Sequence, residues 1–238
     1  MRGFAWRVSV LLLGAALALP ACGGGNGMGP KALKRQEDRL RDRLPLDWED
    51  YNGGALEQAI ARFTETLDQA AQAQLEPGVG NRVRAEAFSG IGWSFFRLQD
   101  LESASSAFGQ ATALDRQNAD AWVGWAGVCL AQRRYSDVVQ FCLTALETDS
   151  DYSSAFRTDS AQRDLGHDLV EVRHVRLMLA EAYFQLGRYS AAQRADPYNA
   201  AAQVRLIQPD YRYRDPGQLV QAISQISLAL RTAEQGGV

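Results

Sequence analysis

A step of 34 residues is the feature that most constrains what this chain can fold into. Shifting Ala85–Asn118 onto Ala119–Tyr152 places like residues on like: Ala87 on Ala121, Phe88 on Trp122, Gly92 on Ala126, Leu101 on Tyr135, Ala111 on Ala145 and Asp115 on Asp149. A fixed period of this length is typical of stacked supersecondary units and not of one conventional core. It favours a binding scaffold over an enzyme.

Each 34-residue unit predicts two helices. In the first unit, large and small apolar residues recur at three- and four-residue spacing, namely Phe88, Ile91, Gly92, Phe95 and Leu98. Gln99-Asp100 predicts a turn, after which a second stripe follows with Ala104, Ala107, Phe108, Ala111 and Leu114. The small residues let the paired helices approach closely, and the aromatic ones fill space against neighbouring units.

This pattern resembles the tetratricopeptide repeat, in which large, small and aromatic residues alternate at fixed positions. One unit supplies Phe88, Gly92, Phe95, Ala104, Phe108 and Ala111, and the next supplies Trp122, Ala126, Cys129, Val138, Cys142 and Ala145. The resemblance implies an all-α, TPR-type α-solenoid of about three to four helix-turn-helix repeats with a C-terminal capping helix.

The resemblance extends over residues 45–209, less regularly outside the two strong repeats at 85–118 and 119–152. A degenerate repeat is expected at 45–73, with its first helix starting at Pro45, and a loop is expected at Pro77–Asn81. An insert at 153–172 precedes an irregular repeat at 173–209. Asp215-Pro216 predicts the start of the capping helix within 210–238.

The N-terminus predicts a targeting segment, residues 1–21. Arg2 and Arg7 precede an apolar run over Val8–Leu19, too short to span a bilayer as a mature helix. The run ends in Leu19-Pro20-Ala21-Cys22, which resembles the lipobox of bacterial lipoproteins, although Pro20 is a departure. The resemblance implies lipidation of Cys22, a glycine-rich tether and charged lead-in over 22–44, and anchoring at the outer membrane facing the periplasm.

Charge gives no reason to expect a nucleic-acid partner. The chain has 25 basic and 28 acidic residues, and no basic stripe is visible. Removal of residues 1–21 takes away two basic residues and no acidic one. Attachment to a membrane would therefore depend on the lipid and not on attraction to anionic headgroups.

In tetratricopeptide proteins the first helices of the repeats line a concave groove, and the resemblance implies that matching positions here face a partner. Those residues are Trp48, Tyr51, Trp93, Phe96, Leu130 and Phe184. A row of aromatic residues on an open surface is a candidate partner-binding site. The alternative is internal packing, in which the 153–172 insert or the cap folds into the groove and covers it. The carboxylate clamp of some family members is not expected, since Ser89 and Trp93 stand at its positions.

Signals for catalysis or cofactors are absent from the sequence. His167, Glu171 and His174 would share one helix face, but the two histidines are too far apart along a helix to bind one zinc ion, so a solvated polar face is expected. Cys129 and Cys142 are interpreted as buried apolar residues, with a disulfide as the alternative. No enzyme activity, metal or cofactor is expected.

The favoured hypothesis is a membrane-tethered scaffold that binds a protein or peptide partner in its groove, in a role such as envelope assembly. The alternative is a glycan- or small-ligand-binding lipoprotein of an uptake or envelope system, because stacked tryptophans suit sugar rings.

Overall fold

The computed structural model describes residues 29–73, 75–155, 157–159, 164–167, 169–190 and 196–235. Over these residues the chain forms nine α-helices, and its only β-type pairing is two isolated bridges. The helices are α1 (Pro30–Asn52), α2 (Leu56–Gln72), α3 (Pro77–Arg97), α4 (Leu101–Leu114), α5 (Ala119–Ala131), α6 (Tyr135–Thr148), α7 (Val172–Gln185), α8 (Ala200–Ile207) and α9 (Pro216–Gln235).

The helices form two layers. Consecutive helices pair as α1–α2, α3–α4, α5–α6 and α7–α8, and each pair packs on the next. The first helix of each pair also contacts the first helix of the following pair, and α7 contacts α9 in the same way. An inner layer of α1, α3, α5, α7 and α9 is therefore backed by an outer layer of α2, α4, α6 and α8. The predicted TPR-type solenoid with a C-terminal cap is confirmed.

The turns inside the four helix pairs share one backbone conformation. Gly54, Gln99, Arg133 and Gly187 occupy equivalent places after the first helix, and all four have positive φ, between 59° and 79°. This left-handed residue ends a helix and reverses the chain at little cost when it is glycine. The two regular repeats tolerate Gln99 and Arg133 there, so tertiary packing outweighs the local strain.

A phenylalanine on α2 and another on α4 each pack against a glycine on the next inner helix. A Cβ added at Gly90 would lie 2.2 Å from Phe63, and one added at Gly124 would lie 2.2 Å from Phe108. Gly90 and Gly124 are 34 residues apart, so the contact repeats with the sequence period. Gly92 gives Phe108 a second such face inside its own repeat, at 2.7 Å. These glycines are required by close approach and not by backbone conformation.

The third interface reverses this order of sizes. At the places equivalent to Phe108 and Gly124, the chain has Cys142 and Met178. The small residue therefore stands on the outer helix and is fully buried, and the large residue stands on the inner helix and is partly buried. Cys129 and Cys142 are buried free thiols, as the apolar interpretation expected, and burial raises the pKa of Cys129 to about 11.

The expected start of the first helix at Pro45 is wrong, because Pro45 lies inside α1, which begins at Pro30. Leu40, Leu44 and Trp48 form one buried face of α1 that spans the proline. Burying side chains of this size is worth roughly 1.5–3 kcal/mol each, which offsets the roughly 3 kcal/mol cost of an interior proline. The end of the charged lead-in, at Leu40, Arg41 and Leu44, therefore packs on the first repeat, whereas Lys31, Lys34, Arg35 and Arg39 are exposed.

The expected loop at Pro77–Asn81 is also wrong. Helix α3 begins at Pro77, at the first helical position that suits proline, and continues through the glycines to Arg97. Val83 and Ala85 are buried, so the extra turns pack against the core.

The predicted C-terminal elements are confirmed. Asp215 accepts a hydrogen bond from the backbone N–H of Gln218 (2.9 Å) at the start of α9. Leu219, Ile223, Ile226 and Leu230 form its buried face. Helix α8 ends at Ile207, where the apolar pattern stops.

Residues 1–28, with the predicted signal segment and Cys22, lie outside the described residues. No helix among those described is long and apolar enough to cross a membrane.

Gly124→Ala is expected to destabilise the protein by about 1–3 kcal/mol, because the added methyl group overlaps the ring of Phe108. Gly109→Ala is the matched control. Its Cβ would meet Trp125 at an ordinary 3.5 Å, and alanine favours the helix by up to about 1 kcal/mol. Urea unfolding followed by circular dichroism measures both changes. Equal shifts in the same direction would contradict the close-approach argument.

Candidate functional site: the inner groove

The six predicted groove residues lie on the inner layer but in two different environments. Trp48 and Tyr51 on α1 are each 1% exposed, and Trp93 on α3 is 6% exposed. Phe96, Leu130 and Phe184 are half-buried. An open aromatic surface in the N-terminal half of the groove was expected, and for these three residues the structure corrects that expectation, because other residues of the chain cover them.

The covering segment is the insert between α6 and α7. Its two ends close on each other, since Ser154 N–H donates to Val170 O (2.8 Å) and Val172 N–H donates to Tyr152 O (2.8 Å). Leu165 N–H also donates to Arg157 O (2.9 Å). The described part of the insert is thus a loop returning on itself, placed over α1, α3 and α5.

His167 of the insert fills the space between the groove aromatics. Its ring stacks on Trp48 with centroids 4.5 Å apart and planes 14° apart. Tyr51 meets it edge-on at 5.7 Å, and Trp93 lies at 5.0 Å with a tilt of 49°. The solvated helix face expected for His167, Glu171 and His174 is therefore wrong. His167 is buried outside any helix, whereas Glu171 and His174 form the capping box of α7.

Asp120, the second residue of α5, is the buried centre of the site, with 2% of its surface exposed. Five side chains surround its carboxylate: Tyr152 Oη at 2.6 Å and His167 Nε2 at 2.8 Å from Oδ1, and Ser89 Oγ at 2.8 Å, Trp93 Nε1 at 2.9 Å and Arg157 Nη1 at 2.6 Å from Oδ2. Burial by itself would raise the pKa of Asp120. The charge of Arg157 and the hydrogen bonds from His167 and Tyr152 outweigh that effect and hold this pKa well below its usual range.

Glu86 on α3 is the second carboxylate of the site. It accepts a hydrogen bond from Trp48 Nε1 (2.9 Å) and pairs with Arg157 through Oε1. The guanidinium of Arg157 therefore bridges Glu86 and Asp120, and its carbon lies 5.5 Å from the Trp48 ring centre. Burial alone would lower the pKa of Arg157, but the two carboxylates raise it further above its ordinary value, so the group is a permanent cation.

Two further contacts fix the insert on α1. Asn52 Nδ2 donates to Gly166 O (3.1 Å), and Arg41 lies 3.8 Å from Asp159. A charged and partly exposed cavity of about 640 Å³ remains beside the Arg157 bridge, with Glu86, Asp120, Asn118 and Asp151 among its lining residues.

The C-terminal half of the groove is open. A second cavity of about 360 Å³ lies between α7 and α9, where Phe184, Val220, Ile223 and Leu228 supply apolar surface and Glu181 and Arg231 supply charge. We call this surface the C-terminal groove. Leu130 on α5 and Phe96 on α3 are half-buried residues of the same inner layer.

The sequence interpretation missed Glu86, Asp120, Tyr152 and Arg157. One signal was available: Glu86 and Asp120 are 34 residues apart, so an acidic residue recurs at the second position of both regular repeats. That position faces the groove in the resembled family. No pattern in the sequence connects Arg157 with these two carboxylates.

Comparison with known proteins supports the family resemblance over part of the chain. Residues 90–153 match the family model described as "Tetratricopeptide repeat". The match supports a tetratricopeptide repeat protein, in agreement with the paired helices. A comparison with curated proteins gives no match.

Two solved structures show low similarity to this chain. The first TPR of Spaghetti (RPAP3), bound to an HSP90 peptide, is 20% identical with a TM-score of 0.37, over 50% of this chain and 82% of that chain. The TPR2AB domain of yeast Sti1, in a complex with HSP90, is 12% identical with a TM-score of 0.30, over 81% and 85% of the two chains. Neither structure bears on the groove described above.

Asp120→Asn is expected to destabilise the protein by about 3–5 kcal/mol, because it leaves Arg157 short of one buried counter-charge and replaces an acceptor by a donor among five donors. Asp151→Asn is the matched control: it changes an exposed acid of the same cavity and is expected to cost less than about 0.5 kcal/mol. Urea unfolding measures both values. A cost below about 1 kcal/mol for Asp120→Asn would contradict the role of Asp120 as the centre of the site.

Proposed function

We propose that this protein is a membrane-anchored interaction scaffold that binds a peptide or partner subunit on the C-terminal groove, in a role such as envelope assembly. The observation that carries the proposal is the exposed apolar surface of α9 beside α7. Leu228 is 65% exposed and Val220 is 40% exposed, next to the half-buried ring of Phe184. Apolar side chains gathered along a concave surface are typical of sites that bind another protein.

The polar residues of the C-terminal groove suit recognition at the edge of an apolar contact. Burial raises the pKa of the Glu181 carboxyl, and Arg231 lies close enough to offset part of that effect. A partner that brings a hydrogen-bond donor to Glu181 would relieve the cost of its burial. Apolar contact along α7 and α9 would supply most of the affinity, and these charges would fix the register.

The glycan-binding alternative has lost the observation that favoured it. Trp48 and Trp93 are covered by the insert and donate to Glu86 and Asp120. Trp122 and Trp125 stack on each other with centroids 5.9 Å apart, and Trp125 stacks on Phe141 at 4.4 Å. Trp48 and Trp93, the two tryptophans of the predicted groove, are thus buried and present no open face for a sugar.

The membrane anchor is the part of the proposal that depends on the sequence alone. The apolar run over Val8–Leu19 and the lipobox-like Leu19-Pro20-Ala21-Cys22 support a lipid on Cys22. A lipid-anchored protein on the periplasmic side of the outer membrane would present its solenoid to partners near the membrane surface.

Leu228→Glu is expected to abolish partner recovery in a crosslinking pull-down of the full chain, because a carboxylate placed in the apolar contact lowers its affinity. Leu206→Glu is the matched control, since Leu206 is 52% exposed on α8 outside the groove. The same partner should be recovered with Leu206→Glu and with the unmodified chain. Recovery of that partner by all three proteins would overturn the C-terminal groove as its binding site.

Cys22→Ala is expected to move the protein from the membrane fraction to the soluble fraction, because the lipid would be its only anchor. Cys129→Ala is the control for loss of a cysteine elsewhere and should stay with the membranes. Fractionation followed by immunoblotting measures both. Continued sedimentation of the Cys22→Ala protein with membranes would argue against lipid anchoring, without bearing on the groove.

A further inference from the structure

The N-terminal half of the groove holds the guanidinium of Arg157 between two carboxylates, in the way that a binding site holds a charged ligand. Arg157 comes from the insert, whereas Glu86 and Asp120 come from α3 and α5. The two carboxylates stand at equivalent repeat positions on adjacent inner helices. Planar guanidinium groups match paired carboxylates better than ammonium groups do, because they present several donors in a fixed plane.

The surroundings of Arg157 complete a site with selectivity for arginine. Trp48 provides an aromatic face to the cation, with the guanidinium carbon 5.5 Å from its ring centre. Trp48 Nε1 and Trp93 Nε1 donate to the same two carboxylates and hold their orientation (2.9 Å each). The two acceptors, Glu86 and Asp120, lie on helices α3 and α5 of the repeats, so their positions do not depend on the insert.

The site is reachable from outside. The cavity of about 640 Å³ is lined by Glu86, Asp120 and Arg157 together, so an incoming side chain reaches the edge of these ion pairs and contacts Asp120 only as Arg157 leaves it. Asp115, Asp149 and Asp151 line the same cavity. Arg41 and Arg82 line the cavity as well, but the acidic residues are more numerous, and their excess would disfavour a ligand that carries a free carboxylate next to its guanidinium. An arginine inside a protein segment, whose backbone is uncharged, suits the cavity better than free arginine.

We propose that the N-terminal half of the groove, formed by Trp48, Glu86, Trp93 and Asp120, is a binding site for an arginine-bearing segment of a partner protein, and that Arg157 occupies it as an intramolecular ligand. The partner's arginine replaces Arg157 between Glu86 and Asp120. Occupation by Arg157 lowers the apparent affinity for the partner by the fraction of molecules in which the site is free. This site is separate from the C-terminal groove and does not depend on it.

The test measures binding of acetyl-arginine amide to the full chain and to Arg157→Lys. Lysine keeps the positive charge but lacks the planar set of fixed donors that a guanidinium presents to two carboxylates, so it competes less well for the site. Arg157→Lys is expected to bind the probe about tenfold more tightly than the unmodified chain, which corresponds to the loss of one charge-assisted hydrogen bond. Arg173→Lys is the matched control, because Arg173 pairs with Glu171 on the surface, and its affinity for the probe should be unchanged.

Three probes separate the chemistry and the source of the ligand. Acetyl-citrulline amide has the same shape without the charge and is expected not to bind Arg157→Lys. Free arginine, with its carboxylate, is expected to bind more weakly than the amide. Equal binding of the citrulline probe would overturn the guanidinium site, and tighter binding of free arginine would overturn a protein segment as its occupant.

Hydrogen exchange on the unmodified chain provides a measurement that needs no variant. Saturating acetyl-arginine amide is expected to accelerate exchange of the backbone N–H groups of Leu165 and His167, which are hydrogen-bonded within the insert. Unchanged exchange at both, with the probe bound, would overturn the replacement of Arg157. Leu228→Glu should leave probe binding intact, so failure of the C-terminal groove and failure of this site are distinguishable.

Discussion

The contacts of the buried Asp120 carboxylate hold the insert over the N-terminal half of the groove. This carboxylate joins α5 to α3 through Ser89 and Trp93, and it joins both helices to the insert through Arg157 and His167. Tyr152, the last residue before the insert, donates to the same carboxylate. A charge buried to this degree is tolerated only when donors and a counter-charge surround it. Asp120 has both, and they come from three parts of the chain distant in sequence.

The solenoid and its insert are stabilised by different physical means. The solenoid is held by a repeated apolar fit, in which Phe63 and Phe108 pack against glycines on the next inner helix. The insert contributes Leu165 and His167 to the core, and its attachment to α3 and α5 is ionic and hydrogen-bonded. Apolar burial is non-directional, whereas ion pairs and hydrogen bonds require particular partners, so the attachment of the insert depends on the identity of these side chains.

This difference divides the inner groove into two parts with different roles. The N-terminal half has its aromatic residues buried against His167 and its carboxylates paired with Arg157. The C-terminal half keeps Val220 and Leu228 exposed beside Phe184. A scaffold with this layout would offer an apolar surface at one end and an occupied, charge-selective site at the other.

The repeated part of the fold follows from local patterns in the sequence. The 34-residue period, the small residues at Gly92 and Ala104, and the Asp215-Pro216 cap before α9 are local patterns, so the helix pairs, the solenoid and the capping helix could be predicted from them. Local rules failed where distant burial competed with them: α1 continues through Pro45, and α3 begins at Pro77 where a loop was expected. Only the tertiary structure decided the state of the groove, because the contacts of Trp48, Asp120 and His167 join residues up to 119 positions apart. No periodicity in a single sequence encodes which carboxylate an arginine in an irregular insert will meet.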